Sequence, residues 1–455
     1  MTLHQGKGMG MPTHSRWVNA AAFLLPALSL GVPSGYSWGV LLLCVTGLAT
    51  LLSTPCTACP KRYMAWFAWS ALLMGAVYAS DAWLASSWRW NALDKPVKFG
   101  LVVLAMAAVV RSPVRGMVLK WGIWTGATGA GLTAFWQLQF LYMERAWGYT
   151  NAIQFGDIAL LLGAWSWAWA RHETGRSRWF GWLAGLAGLY ACVASASRGA
   201  WVMLPILGLL LAWPQSKHPD TDTPAASQPP HTRWAAAALT IGLTLSLLWP
   251  MIHGRVTEAW REVQQFQTSH ETLTSVGQRL AHWQLAYRIG QDKPWLGWGE
   301  EGYIQEKQRQ VDAGQAPHML LMFDHAHNDW LELWAKKGLL GVAALLLLLG
   351  VPLSSYWHTL RHTRCPQGQC HDLARLTSAR CGLMLVVGFF GFGQTQVMFA
   401  HNSGTLMYLF MNLLFMSASL SARPASPGCV APCGGIHTPL HPPSSPPTPL
   451  PPCTS

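Results

Sequence analysis

The sequence contains few charged side chains. Asp, Glu, Lys and Arg together make up 11% of its 455 residues, whereas soluble globular domains carry about 25%. Acidic residues are the scarcest, with 19 Asp and Glu against 31 Lys and Arg. Apolar side chains make up 51% of the chain, and 27 residues are Trp. This composition excludes an ordinary water-soluble domain and indicates a lipid-embedded protein with aromatic side chains at the membrane interfaces.

Long apolar runs account for most of the chain. A helix needs about 20 residues to cross a bilayer, and about twelve runs approach that length. We therefore predict an all-α polytopic membrane protein. The predicted spans are 17–34, 36–53, 63–84, 97–110, 117–141, 152–170, 179–196, 199–214, 234–252, 338–357, 381–399 and 403–421. The first run lacks a small-residue cleavage site, so we expect it to be retained as a helix.

Basic residues fall mainly on one side of these predicted helices. With a cytoplasmic N-terminus, 17 Lys and Arg lie in inside segments and five lie in short outside segments, which is a positive-inside bias. This topology makes residues 1–421 a membrane domain with one large outer loop at 253–327. Residues 422–455 are rich in Pro and should form a disordered cytoplasmic tail. The net charge of +12 then reflects membrane topology, and we expect no nucleic-acid binding.

None of the ten cysteines lies in the outer loop, so no disulfide framework is expected there. Cys56 with Cys59, and Cys365 with Cys370 and His371, could bind zinc. No second tight pair is adjacent, and the spacing after Cys365 is loose, which favours ordinary reduced thiols. The sequence also lacks an internal repeat of the kind from which many transporters are built.

The outer loop contains one clear helical pattern. Residues 276–289 predict an amphipathic helix, because Leu280, Trp283 and Tyr287 recur at three- and four-residue spacing. We expect Gly290 and Pro294 to end that helix. The glycines of the following stretch, 294–303, resemble a nucleotide-binding loop only weakly, since we predict neither a strand before them nor a helix after them.

Three basic side chains share the outer face of the predicted topology. Arg198 lies in a tight turn between two apolar helices, Arg279 lies on the amphipathic helix, and His327 precedes a membrane helix within a polar run at 324–334. Polar groups are costly near hydrocarbon and persist there mainly for function. Two guanidinium groups can bind phosphate oxygens in bidentate fashion. The pattern therefore predicts a site for a phosphorylated substrate.

Other interpretations of these residues remain open. Arg198 could extend to lipid headgroups, Arg279 could be a solvated helix residue, and His327 could cap the following helix or satisfy a hydrogen bond in the core. A metal site is a further alternative, because His325 and His327, with Asp324 and Asp329 nearby, offer ligand types that zinc or manganese accept. A bound metal would duplicate the anion-neutralising role of the two arginines.

A set of motifs resembles the O-antigen ligase and O-antigen polymerase superfamily of bacterial envelope enzymes. The set comprises Ser197-Arg198-Gly199, Arg279, the turn at 294–299, and His327-Asn328 followed after nine residues by Gly338-x-x-Gly341. The segment 145–157 further resembles the lipopolysaccharide O-antigen ligase branch. The resemblance covers roughly residues 90–400, and the motif that begins at His327 is its most discriminating part.

The resemblance implies a GT-C-like glycosyltransferase that needs neither metal nor other cofactor. Such an enzyme moves a glycan from undecaprenyl diphosphate to an acceptor at the periplasmic face of the inner membrane. Arg198 and Arg279 would bind the diphosphate and stabilise its developing charge, and His327 would remove the proton of the acceptor hydroxyl. The remaining candidate pocket residues are Arg145, Gln154, Asp157, Ser197, His325 and Asn328.

We predict a ligase that uses the lipid A core as acceptor, with membrane lipids as its surroundings. An O-antigen polymerase and a protein O-oligosaccharyltransferase are alternatives, because they share the donor and the site; only segment 145–157 favours the ligase. A transporter of lipid-linked sugar is an alternative of another class. It is disfavoured because the polar groups gather at one face instead of the bilayer midplane.

Overall fold

The computed structural model of the chain describes residues 13–53, 60–84, 90–213, 254, 257–258, 260–268, 274–363 and 373–420. Thirteen long helices lie in these ranges: α1 Thr13–Leu28, α2 Gly35–Ser53, α3 Arg62–Leu84, α4 Asp94–Arg111, α5 Gly116–Gln139, α6 Ala152–Ala170, α7 Gly175–Ala194, α8 Arg198–Ala212, α9 Ser275–Asp292, α10 Gly299–Asp312, α11 Asp329–His362, α12 Leu373–Phe392 and α13 Asn402–Leu420. Residues 260–268 are also helical. The described ranges contain no β-strand, which confirms the all-α prediction for them.

Each predicted span within the described residues overlaps a helix, although several boundaries differ. Four of these helices, α2, α11, α12 and α13, are long and apolar enough to cross a membrane, and α8 is a shorter apolar helix. The predicted span at 234–252 and the predicted tail at 422–455 lie outside the described residues. The described helices thus support a membrane protein, while the number of spans stays a prediction.

Two helices form the centre of the bundle. Nearly every residue of α6 and α13 is buried, as expected for helices that are apolar on all sides. The neighbouring helices instead expose large apolar side chains, including Leu52 at 80% and Leu132 at 65% relative accessibility. Apolar surface of this extent suits contact with lipid chains.

The start of α11 differs from the sequence prediction. The predicted span begins at residue 338, whereas the helix begins at Asp329 and is interrupted at Gly338, where φ is 60° and ψ is −157°. Leu339 N–H donates to Pro294 O at 2.7 Å, and Trp298 N–H donates to Ala335 O at 3.0 Å. The turn after α9 therefore packs directly against the break in α11. Hydropathy detected only the apolar part beyond the break.

The end of α12 is the second correction. The span was predicted at 381–399, but the helix covers Leu373–Phe392 and residues 393–401 form a loop. Asp329 supports this loop, since its carboxylate accepts N–H groups of Met398 at 3.1 Å and Phe399 at 3.4 Å. Its own N–H donates to Gly393 O at 2.8 Å. These bonds satisfy backbone groups that helical bonds would otherwise satisfy.

The predicted helix in the outer loop is confirmed as α9, but its details differ. Gly290 lies inside the helix, where an added Cβ would overlap the indole of Trp334. The buried face is formed by residues such as Ala281, Leu285 and Ile289, whereas Tyr287 is exposed. A helix does follow the glycine-rich turn, because α10 begins at Gly299. The prediction that no helix follows was wrong.

Three cysteines are described, Cys44, Cys192 and Cys381, and all three are buried free thiols. The cysteines considered for zinc binding, Cys56, Cys59, Cys365 and Cys370, lie outside the described residues together with His371. The zinc alternative therefore stays a prediction.

Candidate active site

Arg198 is presented by a compact turn between α7 and α8. Ala196 has a φ of 53°, and Ser197 N–H donates to the hydroxyl oxygen of Ser195 at 3.2 Å. An added Cβ at Gly156 of α6 would overlap Ser195 Oγ, so the turn packs tightly on that helix. This packing fixes the position from which Arg198 extends.

Two carboxylates contact the Arg198 guanidinium. Its Nη2 lies 3.2 Å from Glu258 Oε2, and its Nη1 lies 4.0 Å from Glu262 Oε1. The Arg198 side chain is 30% exposed, so an anion can reach it from solvent. Sequence reasoning missed both acids; their four-residue spacing on a helix was the available signal.

Arg279 lies on α9 in a region of mixed charge. Burial lowers its pKa, and Arg198 and Arg145 lower it further, while Glu262 and Asp157 raise it. Arg198 and Arg279 belong to different helices and are separated by a long loop, yet their charges act on each other. The structure thus brings together the two predicted phosphate-binding arginines, with Glu262 close to both.

Asp157 and Ser197 form a buried pair beneath the turn. Ser197 Oγ donates to Asp157 Oδ1 at 3.5 Å, whereas Asp157 Oδ2 is buried without a hydrogen-bond partner among the described residues. Arg145, which was predicted to join them, is exposed and its Nε donates to Ser195 O at 3.1 Å. Arg145 therefore contacts the turn from its outer side.

Gln154, a candidate pocket residue, is hydrogen-bonded within the protein. It is fully buried, its Oε1 accepts a hydrogen bond from Ser403 Oγ at 2.6 Å, and its Nε2 donates to Met398 O at 3.4 Å. These bonds join α6 to the segment that leads into α13. Gln154 thus supports the loop at 393–401.

His327 adopts a backbone conformation that is uncommon for a non-glycine residue, with a φ of 53°. The next residue, Asn328, caps α11, because its Oδ1 accepts N–H groups of Trp330 at 2.9 Å and Leu331 at 3.2 Å. The alternative that His327 caps this helix is therefore wrong. Its imidazole is left available for another role.

Four imidazoles form a row at this position. The ring centroids are 5.6 Å apart for His282 and His327, 4.2 Å for His327 and His325, and 6.3 Å for His325 and His401. Sequence reasoning missed His282 and His401, because a single histidine on a helix or in a loop carries no spacing signal. Their proximity arises only when α9 and the loop at 393–401 pack against the His325–His327 segment.

The histidines of this row are neutral at pH 7. Burial lowers the pKa of His327 to about 4, with His325 and Arg279 adding to the shift. Burial also lowers the pKa of His325 to about 4 and that of His282 to about 3. Since the charge of Arg279 acts on His327 and that of Arg198 acts on Arg279, the three predicted residues share one electrostatic environment.

An ion network centred on the buried Lys336 holds the segment that carries these histidines. Lys336 Nζ lies 2.6 Å from both Glu300 Oε1 and Glu332 Oε1. Glu332 Oε2 accepts Ala326 N–H at 2.7 Å, and Lys336 donates to Asp324 O at 2.9 Å. The network thus connects α10 and α11 to residues 324–326. Its members were not predicted, because Lys and Glu in a polar run usually indicate a solvated surface.

Of the residues considered as metal ligands, His325 and His327 lie together, but Asp329 is engaged elsewhere. The Asp329 carboxylate accepts backbone N–H groups of Met398 and Phe399 instead of facing His325 and His327. Among the residues that the structure describes, no group of three or more His, Cys, Asp or Glu side chains is arranged to hold a metal ion.

Comparison with known proteins gives two matches. Residues 183–346 match the model of a family described as O-antigen ligase, and this segment contains Arg198, Arg279 and His327. An uncharacterised protein of Haemophilus influenzae is 25% identical over 330 residues, which cover 71% of this chain and 79% of the relative. The resemblance to the O-antigen ligase superfamily is therefore confirmed over residues 183–346.

Proposed function

We propose that the chain is an O-antigen ligase, a glycosyltransferase that moves O-antigen polysaccharide from undecaprenyl diphosphate to the lipid A core. It would be a GT-C-like protein of the bacterial inner membrane with about twelve spans. The termini would lie in the cytoplasm and the active site at the periplasmic face. The family match over residues 183–346 supports the class of enzyme, and the site chemistry supports the proposed reaction.

The single observation that carries the proposal is the coupling of Arg198, Arg279 and His327. These side chains come from α8, α9 and the segment before α11, yet the charge of Arg198 acts on Arg279 and the charge of Arg279 acts on His327. A transferase that uses a diphosphate leaving group needs fixed positive charge beside a group that accepts a proton.

The reaction forms one bond and breaks one bond at the anomeric carbon. The acceptor hydroxyl oxygen attacks that carbon while its bond to the diphosphate oxygen breaks, and the bonding electron pair leaves with the diphosphate. Arg198 and Arg279 stabilise the additional negative charge on the leaving group. His327 takes the proton of the hydroxyl, so the glycan bond, the free lipid diphosphate and an imidazolium result.

Binding of the diphosphate should also change the pKa of His327, the proposed base. A pKa of about 4 in the free protein ensures that His327 is neutral, but such a group is a weak base at pH 7. A bound diphosphate neutralises Arg279, which is one cause of the low pKa, and adds negative charge nearby. Donor binding should therefore raise the pKa of His327 toward the working pH.

The test is transfer by purified protein in lipid vesicles that contain donor and acceptor. His327→Ala should lower the transfer rate by about 10²- to 10⁴-fold, while retention of the lipid-linked donor stays nearly unchanged. Arg198→Ala and Arg279→Ala should weaken both transfer and retention. His318→Ala is the matched control, because His318 is exposed in the same loop. Full transfer by His327→Ala would refute its role as the base.

Deletion of the gene distinguishes the ligase from its relatives in the superfamily. Loss of all polymeric O-chains from lipopolysaccharide, with polymer accumulating on its lipid carrier, is expected for a ligase. Single repeat units on the core would instead indicate a polymerase. Unchanged lipopolysaccharide with loss of glycans from proteins would indicate a protein O-oligosaccharyltransferase.

A further inference from the structure

We infer that a groove between α1 and α5 binds an anionic phospholipid at the end of the bundle opposite to the candidate active site. This inference does not depend on the proposed transfer reaction. The groove is a cavity of about 440 Å³, within the range of about 300–1,000 Å³ that is typical of ligand pockets. Its lining residues are Ser15, Arg16, Asn19, Ala20, Phe23, Leu24, Arg115 and Val118.

The packing of α1 against α5 explains why the groove lies at this end. An added Cβ at Gly122 would lie 2.6 Å from Phe23 O, and one at Gly126 would overlap Pro26 O. The two helices are therefore in backbone contact at these glycines. The groove occupies the space before the helices meet, next to the start of each helix.

Asn19 connects the two helices at the groove. It is 8% exposed, its Oδ1 accepts Arg115 N–H at 3.0 Å, and its Nδ2 donates to Ser15 O at 2.7 Å. The preceding Val114 N–H donates to Ser417 Oγ at 3.1 Å. These bonds hold the backbone from which Arg115 extends, so the groove is formed in advance of any ligand.

The groove has positive charge that acidic side chains do not compensate. Arg16 and Arg115 are exposed, and neither forms an ion pair with another described residue. Neither α1 nor α5 contains Asp or Glu, and residues 1–12 contain none. Both helices begin at this end, and a helix N-terminus adds partial positive charge. A phosphate group is the complementary anion, because guanidinium groups bind phosphate oxygens well.

The apolar part of the groove indicates that this phosphate belongs to a lipid. Four of the eight lining residues are apolar, and a free phosphate would leave them in contact with water. Trp17, next to Arg16, is 53% exposed, as is typical of aromatic side chains at a membrane interface. A phospholipid satisfies both parts, with its phosphate at the arginines and its upper acyl chains against the apolar wall.

The groove and the candidate active site lie at opposite ends of α5. This helix has 24 residues, which corresponds to a length of about 36 Å. Near its far end, Gln137 Oε1 accepts Trp147 N–H at 3.0 Å, and Arg145 in the same segment contacts the turn before Arg198. On the predicted topology the groove therefore faces the cytoplasmic leaflet, whereas the lipid-linked donor is proposed to bind at the periplasmic face.

The experiment measures lipid binding to the purified full-length chain in detergent by native mass spectrometry. The probes are phosphatidylglycerol, phosphatidylethanolamine and free glycerol phosphate. Phosphatidylglycerol should bind at least about tenfold more tightly than phosphatidylethanolamine, because the ammonium group of the latter offsets its phosphate charge. Glycerol phosphate should bind at least about tenfold more weakly than phosphatidylglycerol, because it lacks the apolar chains.

A double variant tests the two arginines. Arg16→Gln combined with Arg115→Gln should reduce the affinity for phosphatidylglycerol by at least about tenfold and abolish the preference over phosphatidylethanolamine. Arg176→Gln combined with Arg178→Gln is the matched control. These residues are exposed on α7, lie on the same predicted side and do not line the groove. The control should retain the affinity and preference of wild type.

A second variant tests the apolar wall without changing the charge. Ala20→Trp should fill part of the groove and reduce phosphatidylglycerol binding by at least about tenfold, because the indole occupies the space proposed for the acyl chains. Leu132→Trp is its control, since Leu132 is 65% exposed on α5 and does not line the groove. This control should bind phosphatidylglycerol as wild type does.

The outcomes separate a built lipid site from simpler explanations. Loss of phosphatidylglycerol in both test variants, with binding retained in both controls, would support the inference. Equal loss in the two double variants would indicate a general effect of surface charge and overturn it. Equal binding of the two lipids by wild type, or equally tight binding of glycerol phosphate, would also overturn it. If the double variant fails to fold, Ala20→Trp and the lipid preference of wild type decide.

Discussion

Gly338→Ala tests whether the break in α11 organises the outer part of the site. Gly338 has a φ of 60° and a ψ of −157°, a conformation that is essentially restricted to glycine. An added Cβ would lie 2.5 Å from the carbonyl carbon of Trp295 and 2.6 Å from Pro294 O. These contacts are with backbone, so no side chain can rotate to relieve them.

The expected destabilisation follows from two contributions. A residue in such a disfavoured conformation costs about 1–3 kcal/mol. Relief of the overlap requires the turn at 294–295 to move away, which weakens the bonds from Leu339 N–H to Pro294 O at 2.7 Å and from Leu340 N–H to Trp295 O at 3.3 Å. Each bond contributes about 0.5–1.5 kcal/mol net. Together these effects predict a loss of about 2–6 kcal/mol.

Thermal unfolding in detergent and transfer in vesicles provide the two readouts. Gly350→Ala is the control, because Gly350 lies in the same helix and a Cβ there would have no heavy atom within 4 Å. The control should be as stable as wild type or slightly more stable, since Ala favours helix by about 1 kcal/mol over Gly. If Gly338→Ala and Gly350→Ala unfolded at the same temperature with equal activity, the strained break and its tight contact with the turn would be refuted.

Four further predictions concern charge, protonation and metal dependence. Folding lowers the pKa of His327 to about 4 and that of His282 to about 3. Between about pH 4 and 6.5 the unfolded chain therefore binds more protons than the folded chain. The melting temperature should fall as the pH falls through this window. His282→Leu should raise the melting temperature and flatten that dependence, because both ring nitrogens of His282 lack a partner among the described residues; no change, or equal change in His318→Leu, would contradict this. Glu258→Gln should tighten donor binding by at most about fivefold, since it removes an exposed anion that competes for Arg198, and weaker binding would refute the competition. Transfer should survive EDTA, because arginines are proposed to neutralise the diphosphate; loss of transfer that manganese or zinc restores would identify a metal-dependent reaction.

The helices and the principal motif could be predicted because they rest on local signals. Apolar runs long enough to cross a bilayer predict helices whatever their neighbours are. The polar run around His327 could be recognised because charged and imidazole groups are costly beside a membrane helix and are therefore uncommon there. Each signal lies within a few residues of the feature that it predicts.

The partners of the site could not be predicted because they come from distant parts of the chain. Glu258 contacts Arg198 across 60 residues, and His282 reaches His327 only when α9 packs against the segment before α11. Neither Glu258 nor His282 lies in a local sequence pattern that indicates which residue it contacts. The end of α12 was missed for a related reason, because hydropathy does not register the hydrogen bonds that Asp329 supplies to the loop.

The motif at 327–329 combines one proposed chemical residue with two structural ones. Asn328 caps α11 and Asp329 satisfies the backbone of the loop at 393–401. A strained conformation such as that of His327 persists only where its surroundings determine it from several sides. The cap on one side, the Ala326 to Glu332 bond on the other, and the bond from Asn328 Nδ2 to Gln394 O in the loop at 393–401 provide such surroundings. We propose that this conformation serves to present the His327 imidazole to a substrate beside Arg279.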